Sequence, residues 1–472
     1  MKKTCKKAVA MLMVLSVIVL SFSIGVSAES DYTIVSPYAD VIWEGEDAWG
    51  AYKGNLHTHS TASDASINLN DIILEHYNQN FDFLAMTDHG VTGVEWNKKP
   101  YSRLLYSYQK FVGNNVTPLT DEQYAGVLSG TYPVGQSLSE EYRVDENALG
   151  KARGFGMTCL TGGNEFNALT ISKPHVNGYF LPSDFGNMDL GFENNYEYEI
   201  KRIEKAGGLS IINHPGDWLN SRDNEAAVHD PENIQFFADI FLRYDTCMGM
   251  EVFNSNNGTE PHTRELWDNI LMATLPYGRN VIGFSNSDTH DADKVDSSYA
   301  IFMMTENTVE NVKKTMQSGA SFLVTHKMKP DEELGPKGEY IDAGNTGLPV
   351  PMFKKVVTDG HKITVVVENT SNLTFVANGK VIAEKNYTTN DAQTYTLDLD
   401  TIAGSKDFLY VRAQLIGDGG LTMTQPLIID DGSEPLKYEP APKTFMERIL
   451  DILKCTKVYA VIKLIYDSIV YA

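Results

Sequence analysis

Cysteine is scarce in this chain, with four in 472 residues. Beyond residue 28 only Cys159, Cys247 and Cys455 remain, an odd and scattered set that supplies no disulfide framework. Positive charge is also short. Thirty-nine lysines and arginines face 62 aspartates and glutamates, giving a formal net charge of −23, and no arginine cluster accompanies any motif. So acidic a surface repels nucleic acid and anionic membrane, which argues against a nuclease that tracks a polymer. Without disulfides, stability has to come from a hydrophobic core, and a chain of this length has room for two or three domains.

Long apolar runs are confined to the N-terminus. Lys2, Lys3, Lys6 and Lys7 precede an apolar stretch from Ala8 to Val26, which ends in the small-residue sequence Val26-Ser27-Ala28. This reads as a secretory signal peptide over residues 1–28, with a transmembrane anchor as the competing reading. The small-residue ending and the polar Glu29-Ser30-Asp31 favour cleavage after Ala28, and hence a secreted, extracytoplasmic protein with no remaining membrane anchor. Cys5 lies ahead of the apolar run, away from the cleavage site, so lipoprotein anchoring is not indicated. Removing four lysines and no acids shifts the formal charge from −23 to −27.

From about Tyr52 to His326, short apolar runs alternate with helix-like stretches. Strands are expected at 53–57, 83–87, 157–162, 176–181, 209–212, 248–253 and 281–285, and helices at Leu69–Gln79, Tyr196–Ala206 and Val309–Ser318. Such alternation predicts parallel strands with crossover helices, and seven strands suggest barrel-like closure. This domain is taken as residues 29–330, interrupted by long insertions at about 90–152 and 216–246, each read as a lid or substrate wall. A Gly- and Pro-containing linker follows at 331–351. Residues 352–432 then form short strands with an Asn378-Gly379 hairpin signal, which predicts a small antiparallel β-sandwich. At 444–472, the stripe Val458, Val461, Ile462, Ile465 and Ile469 predicts a C-terminal amphipathic helix that packs on the body, binds a partner or lies on a membrane surface.

Histidine is scarce too, with 11 in all, yet six sit in motifs at the ends of apolar runs. These are His57-Thr58-His59 with Asp64 nearby, Thr87-Asp88-His89, Pro174-His175, Asn213-His214-Pro215 and Asp288-Thr289-His290, and Glu165 follows Gly163-Asn164. Alternation along a strand places His57 and His59 on one side. A His-x-His pair alone is a weak signal, but nine imidazoles and carboxylates at strand ends form a donor set suited to zinc, manganese or iron. Barrel enzymes carry their reactive groups at such ends. The residues themselves therefore point to a metallohydrolase.

The series His57-x-His59-Ser60-x-x-Ser63-Asp64, Thr87-Asp88-His89, Glu165, His175, Asn213-His214-Pro215 and Asp288-x-His290 resembles the PHP (polymerase and histidinol phosphatase) superfamily of metallophosphoesterases, over roughly residues 50–326. Signal peptide, site domain and trailing β-domain together resemble its secreted carbaryl-hydrolase-like branch. The resemblance implies a distorted (β/α)7 barrel and two to three divalent ions (Zn, Mn or Fe). One ion would be held by His57, His59, Glu165 and Asp288, and a second by Glu165 with His175 and His214. Asp64, His89 and His290 would hold a third. It further implies hydrolysis of small phosphomonoesters or phosphodiesters by a metal-bridged hydroxide.

Other polar residues near the motifs are less decisive. Asp88 could orient an imidazole or a metal-bound water, or serve as general acid. His229 and His262 could protonate a leaving group or be surface histidines. Glu251 and Asn254 could line the pocket, and Lys173 could meet a phosphate; His76, His326 and His361 match no motif. Two other functions stay open: hydrolysis of carboxyl or carbamate esters at the same site, and a non-catalytic, metal-bearing binding module.

Overall fold

The computed structural model describes residues 32–100, 115–133, 156–166, 174–185, 196–221, 224–254, 262–328, 341–342 and 348–440. The expected signal peptide, Cys455, Lys173 and the tail helix at 444–472 lie outside the described residues, as does much of the first insertion and of the linker. No described helix is long and apolar enough to cross a membrane.

After a short strand β1 (Thr33–Val35) come the strands that carry the site. They are β2 (Gly50–Asn55), β3 (Phe83–Ala85), β4 (Thr158–Leu160), β5 (Asn164–Phe166), β6 (Val176–Tyr179), β7 (Leu209–Ile212), β8 (Cys247–Asn254) and β9 (Ile282–Asn286). All seven strands expected from the sequence are present; β5 is additional, as are two further strands of the same domain, Ser298–Met304 and Ser321–Thr325. The fold is mixed α/β, but the pairing is not a uniform parallel repeat. Strands β2–β3–β4 and β7–β8–β9 are parallel, whereas β6 runs antiparallel to both β5 and β7. Parallel neighbours need a crossover of about a dozen residues or more. The segment between Phe166 and Val176 is shorter than that, so β5 and β6 pair antiparallel. Two isolated parallel bridges, Thr58 with Thr289 and His89 with Glu165, stitch the two sheets together where the ligand motifs lie. Gly163 permits this approach, because a Cβ there would sit 2.5 Å from the Met86 carbonyl oxygen.

The described helices are α1 (Leu69–Asn78), α2 (Asp121–Ser129), α3 (Glu197–Lys205), α4 (Pro215–Leu219), α5 (Ala226–His229), α6 (Pro231–Arg243), α7 (Thr263–Thr274) and α8 (Val309–Ser318). The three expected helices, now α1, α3 and α8, occur within a residue of their predicted bounds. In α1, Leu69, Ile72, Ile73, His76 and Tyr77 make one buried stripe, and Asn68 caps the N-terminus. The second insertion, expected as a long loop, is largely helical (α4–α6). Asp230 caps α6, Pro231 occupies its first turn, and Phe237, Ile240 and Phe241 are buried.

Strands β10 (Ser298–Met304) and β11 (Ser321–Thr325) join the site domain to the trailing strands, and β12 (Lys327–Met328) with β13 (Ile341–Asp342) forms a small ribbon. The trailing strands are β14 (Met352–Asp359), β15 (Lys362–Glu368), β16 (Asn372–Ala377), β17 (Lys380–Asn386), β18 (Gln393–Asp398), β19 (Tyr410–Gly417), β20 (Gly420–Thr424) and β21 (Leu427–Asp430). Phe353, Ile363 and Val365 from the β14–β15–β18 sheet share a core with Leu373, Phe375 and Ala413 from β16 and β19. Asn378 and Gly379 both have positive φ (+47° and +70°), as a type I′ hairpin turn requires. One sheet runs on into the site domain, since β20 pairs with β11, β11 with β10 and β10 with β2, all antiparallel.

His76 in α1 yields a pH prediction. Its Nδ1 donates to the Ile72 carbonyl at 2.8 Å and its Nε2 accepts from Asn55 at 3.1 Å, so a neutral ring satisfies both partners. Burial pushes its pKa down from 6.5 to about 4. Between those values the folded state binds fewer protons than the unfolded chain, so this contribution is complete above 6.5 and is lost as pH falls toward 4. The loss between pH 7 and pH 5 is about 2 kcal/mol. Urea unfolding at both pH values should show a drop in wild type that exceeds the drop in His76→Gln by this amount. Equal drops would rule the assignment out.

Candidate metal centre

Strand periodicity and strand ends deliver the donors. β2 runs into His57-Thr58-His59, both imidazoles are fully buried on one side, and their Nε2 atoms lie 3.1 Å apart. His89 follows β3, Glu165 is the middle residue of β5, and His175 immediately precedes β6. His214 caps α4 just beyond β7, with a φ of +28°, and Asp288 follows β9 with a φ of +45°. Both values are sparsely populated by residues with a Cβ, so the site holds strained backbone at two of its donors.

Glu165 is the hub. Its Oε2 lies 3.2 Å from His57 Nε2, 3.0 Å from His59 Nε2 and 3.2 Å from His89 Nδ1. Its Oε1 lies 2.9 Å from His175 Nδ1 and 3.3 Å from His214 Nε2, and it accepts from the Asn213 amide at 2.8 Å. Asp288 Oδ1 stands 3.1 Å from His57 Nε2 and 3.2 Å from His59 Nε2. Asp64 Oδ2 is 3.5 Å from His89 Nε2 and 3.4 Å from His290 Nε2. The structure thus brings together all nine residues singled out in the sequence. Three overlapping donor groups result: His57, His59, Glu165 and Asp288; His59, Asp64, His89 and His290; and His89, Glu165 and His175. The first is the set the resemblance implies. The other two differ by drawing His59 toward Asp64 and His89 toward His175, with His214 reaching the third through His175 at 3.1 Å.

The electrostatics follow from burial and proximity. Burial pushes the Glu165 carboxyl up, yet the imidazoles of His57, His89 and His175 outweigh it and hold it well below the ordinary carboxylate range. Burial likewise opposes charge on His57, but Asp288, Glu165 and Glu251 carry it well above its usual value. His59 rises to about 10 against the same opposition, driven by Asp288 and Glu165. Protons and divalent cations compete for these lone pairs. The donor set fits such ions. Buried His89 Nδ1 and Asp288 Oδ1 make no hydrogen bond, although Glu165 Oε2 is 3.2 Å from the first and His57 Nε2 3.1 Å from the second. Atoms this close but unaligned aim at a common centre, as ligands of an ion do.

The other candidates are placed differently. Asp88 accepts from the Ser60 amide at 2.7 Å and from the Ser60 and Ser63 hydroxyls at 3.0 Å each, so it tethers the loop that carries His59 and Asp64. Burial raises its pKa. His229 and His262 meet at Glu265, at 2.9 and 3.5 Å, in a cluster separate from the nine donors. Among the described cysteines, Cys159 and Cys247 are free and buried. Asn55 and Asn286 escaped the sequence reading. Each lies two residues ahead of a ligand motif, Asn55 reaching Ser287 and accepting from the His57 amide, Asn286 accepting from Leu56 and donating to Glu251. A buried amide at the end of an apolar strand was the available signal.

No family model matches this chain, and no curated protein matches it. Solved structures similar to it include a two-domain protein containing a predicted PHP-like metal-dependent phosphoesterase from Bacteroides vulgatus. That protein is 14% identical over 82% of this chain and 98% of its own, with a TM-score of 0.39. PsfC from Pseudomonas syringae is 12% identical over 57% and 96%, with a TM-score of 0.29. An amidohydrolase from Chromobacterium violaceum is 12% identical over 51% and 89%, with a TM-score of 0.27. Likeness at this level carries no argument about activity; the donor geometry stands on its own.

Proposed function

We propose that this chain is a metal-dependent hydrolase of the PHP type, a secreted phosphoesterase acting on small phosphomonoesters or phosphodiesters. The observation that carries the reading is Glu165, one buried carboxylate within 3.3 Å of the ring nitrogens of five imidazoles, with Asp64 and Asp288 beside them. His57, His59, Glu165 and Asp288 would hold one ion. Glu165, His175 and His214 would hold a second, and Asp64, His89 and His290 a third. When bound, two to three ions of the zinc, manganese or iron kind would supply Lewis-acid polarisation of the ester and neutralise developing charge. The protein's own part is to hold these donors rigid at the meeting of two sheets, with Asn213 orienting Glu165 and Asp88 fixing the Ser60–Asp64 loop. The distorted (β/α)7 barrel and the carbaryl-hydrolase-like branch belong to the same proposal.

The shortage of arginine near the ligand motifs favours a second reading, hydrolysis of carboxyl or carbamate esters at the same donors, because phosphate sites commonly add a cation that grips the phosphate itself. The mature chain should contain two to three divalent ions by elemental analysis and cleave bis-p-nitrophenyl phosphate or p-nitrophenyl phosphate, with activity lost on chelation and restored by metal. Cleavage of p-nitrophenyl acetate alone would transfer the reading to carboxylic esters. A protein that takes up no zinc, manganese or iron would end the metallohydrolase reading.

A further inference from the structure

Glu251 lies on β8, outside the nine-donor set, and is fully buried. Among the described residues its ion-pair partner is His57. Its four contacts divide evenly between its two oxygens. Oε1 faces His57 Nδ1 at 2.8 Å and accepts from the Asn286 amide at 2.9 Å. Oε2 accepts from the His214 backbone N–H at 3.0 Å and from the Asn254 amide at 2.7 Å. Asn286 is itself fixed in orientation, because its Oδ1 accepts from the Leu56 amide at 3.0 Å.

We propose that Glu251 is a positioning residue that sets two separate metal-binding positions through one carboxylate; the proposal rests on the metallohydrolase reading of the site. On one side it accepts the Nδ1 proton of His57. The Nε2 lone pair is thereby aimed at the cluster, where Glu165 Oε2 and Asp288 Oδ1 wait 3.2 and 3.1 Å away. On the other side it holds the backbone N–H of His214, the residue kept at a φ of +28°. Loss of that anchor removes one restraint on this strained backbone, and the His214 imidazole shifts relative to Glu165 and His175.

The arrangement makes the isosteric Glu251→Gln substitution informative. A carboxylate presents acceptors on both sides, whereas a carboxamide must turn its NH2 toward one of them. Turned toward Oε2's partners, it confronts a backbone N–H that has no alternative tautomer. Turned toward His57, it forces Nδ1 to accept and places the ring proton on Nε2, where the ion would bind. Either orientation damages one metal position without removing any ligand.

The test uses the full mature chain, cobalt(II) alone as the probe, and three proteins: wild type, Glu251→Gln and Asn254→Ala. Bound equivalents, apparent Kd and visible cobalt absorption are measured, together with thermal unfolding in chelator. Wild type should bind cobalt with a defined visible spectrum. Glu251→Gln should fold in chelator, yet bind about 10- to 100-fold more weakly with a changed spectrum. Asn254→Ala, which removes one donor to Oε2, should shift both readouts in the same direction by less. A glutamine variant with wild-type Kd and spectrum would overturn the proposal. If that variant does not fold, an unchanged Asn254→Ala would overturn it. Wild type that binds cobalt but cleaves no phosphoester would end the phosphoesterase reading and leave the role of Glu251 standing. Wild type that binds no cobalt would end both.

Discussion

Glu165→Gln is expected to lower the proposed phosphoester hydrolysis by on the order of 10³-fold or more and to reduce bound metal at the same time. The reason is the division of labour between its oxygens. Oε2 faces His57, His59 and His89, while Oε1 faces His175 and His214. A carboxamide keeps the shape but removes the negative charge shared by both halves. It also turns an N–H pair toward imidazole lone pairs meant for a cation. Asn213 donates to Oε1, which favours placing the remaining oxygen there and the NH2 group toward the His57–His59–His89 half. Metal loss should therefore be greatest in the donor group containing Asp288. Elemental analysis beside kcat/KM on bis-p-nitrophenyl phosphate decides the matter, and a variant within tenfold of wild type, fully loaded, would remove Glu165 from the centre.

The second large effect concerns stability and involves none of the nine donors. Asp268 on α7 meets Arg412 on β19 in a two-pronged ion pair, at 2.8 and 2.7 Å, with the Tyr410 hydroxyl donating to the same carboxylate at 2.5 Å. The side chains are 2% and 0% exposed, and the guanidinium sits 5.8 Å from the centre of the Trp267 ring. Asp268→Ala takes a paired carboxylate away from that buried guanidinium, which costs roughly 3–5 kcal/mol. Calorimetry should show a melting temperature lower by about 3–5 °C, a modest shift because the unfolding entropy of so long a cooperative unit is large. A sheet continuous from β2 through β10, β11 and β20 to β19 should melt as one unit. Two separated transitions, with only the later strands destabilised, would show that the trailing β-strands fold independently of the site domain.

Much of the site was legible in the amino-acid sequence. Rare histidines at strand ends, with Glu165 and two Asp-containing motifs, singled out the nine residues that the structure brings together, because metal chemistry restricts ligands to a few residue types and this mixed α/β fold displays them at strand ends. The helices α1, α3 and α8 were equally legible, because each buries a stripe at helical spacing next to a recognisable cap or stop. Other elements resisted. The local pattern of β6, Val176-Asn177-Gly178-Tyr179, carries no mark of strand direction, and its antiparallel course depends on the partners beside it. Glu251 reads from the sequence as a candidate pocket-lining acid and no more, since its four donors come from residues 57, 214, 254 and 286. For His229 and His262 the sequence leaves a proton donor and a surface histidine both open, and the structure puts the two rings 2.9 and 3.5 Å from Glu265.

What the sequence alone determined was the donor chemistry, the strand-helix alternation and the acidic surface, because these depend on residue type and near-neighbour spacing. What only the tertiary structure decided was which lone pairs face one another, which carboxylate is the hub, and that the trailing strands extend the sheet of the site domain. Those outcomes depend on contacts between residues tens to hundreds of positions apart, such as Asp268 with Arg412 and Glu251 with His57. Local periodicity carries no information about which distant strands will become neighbours.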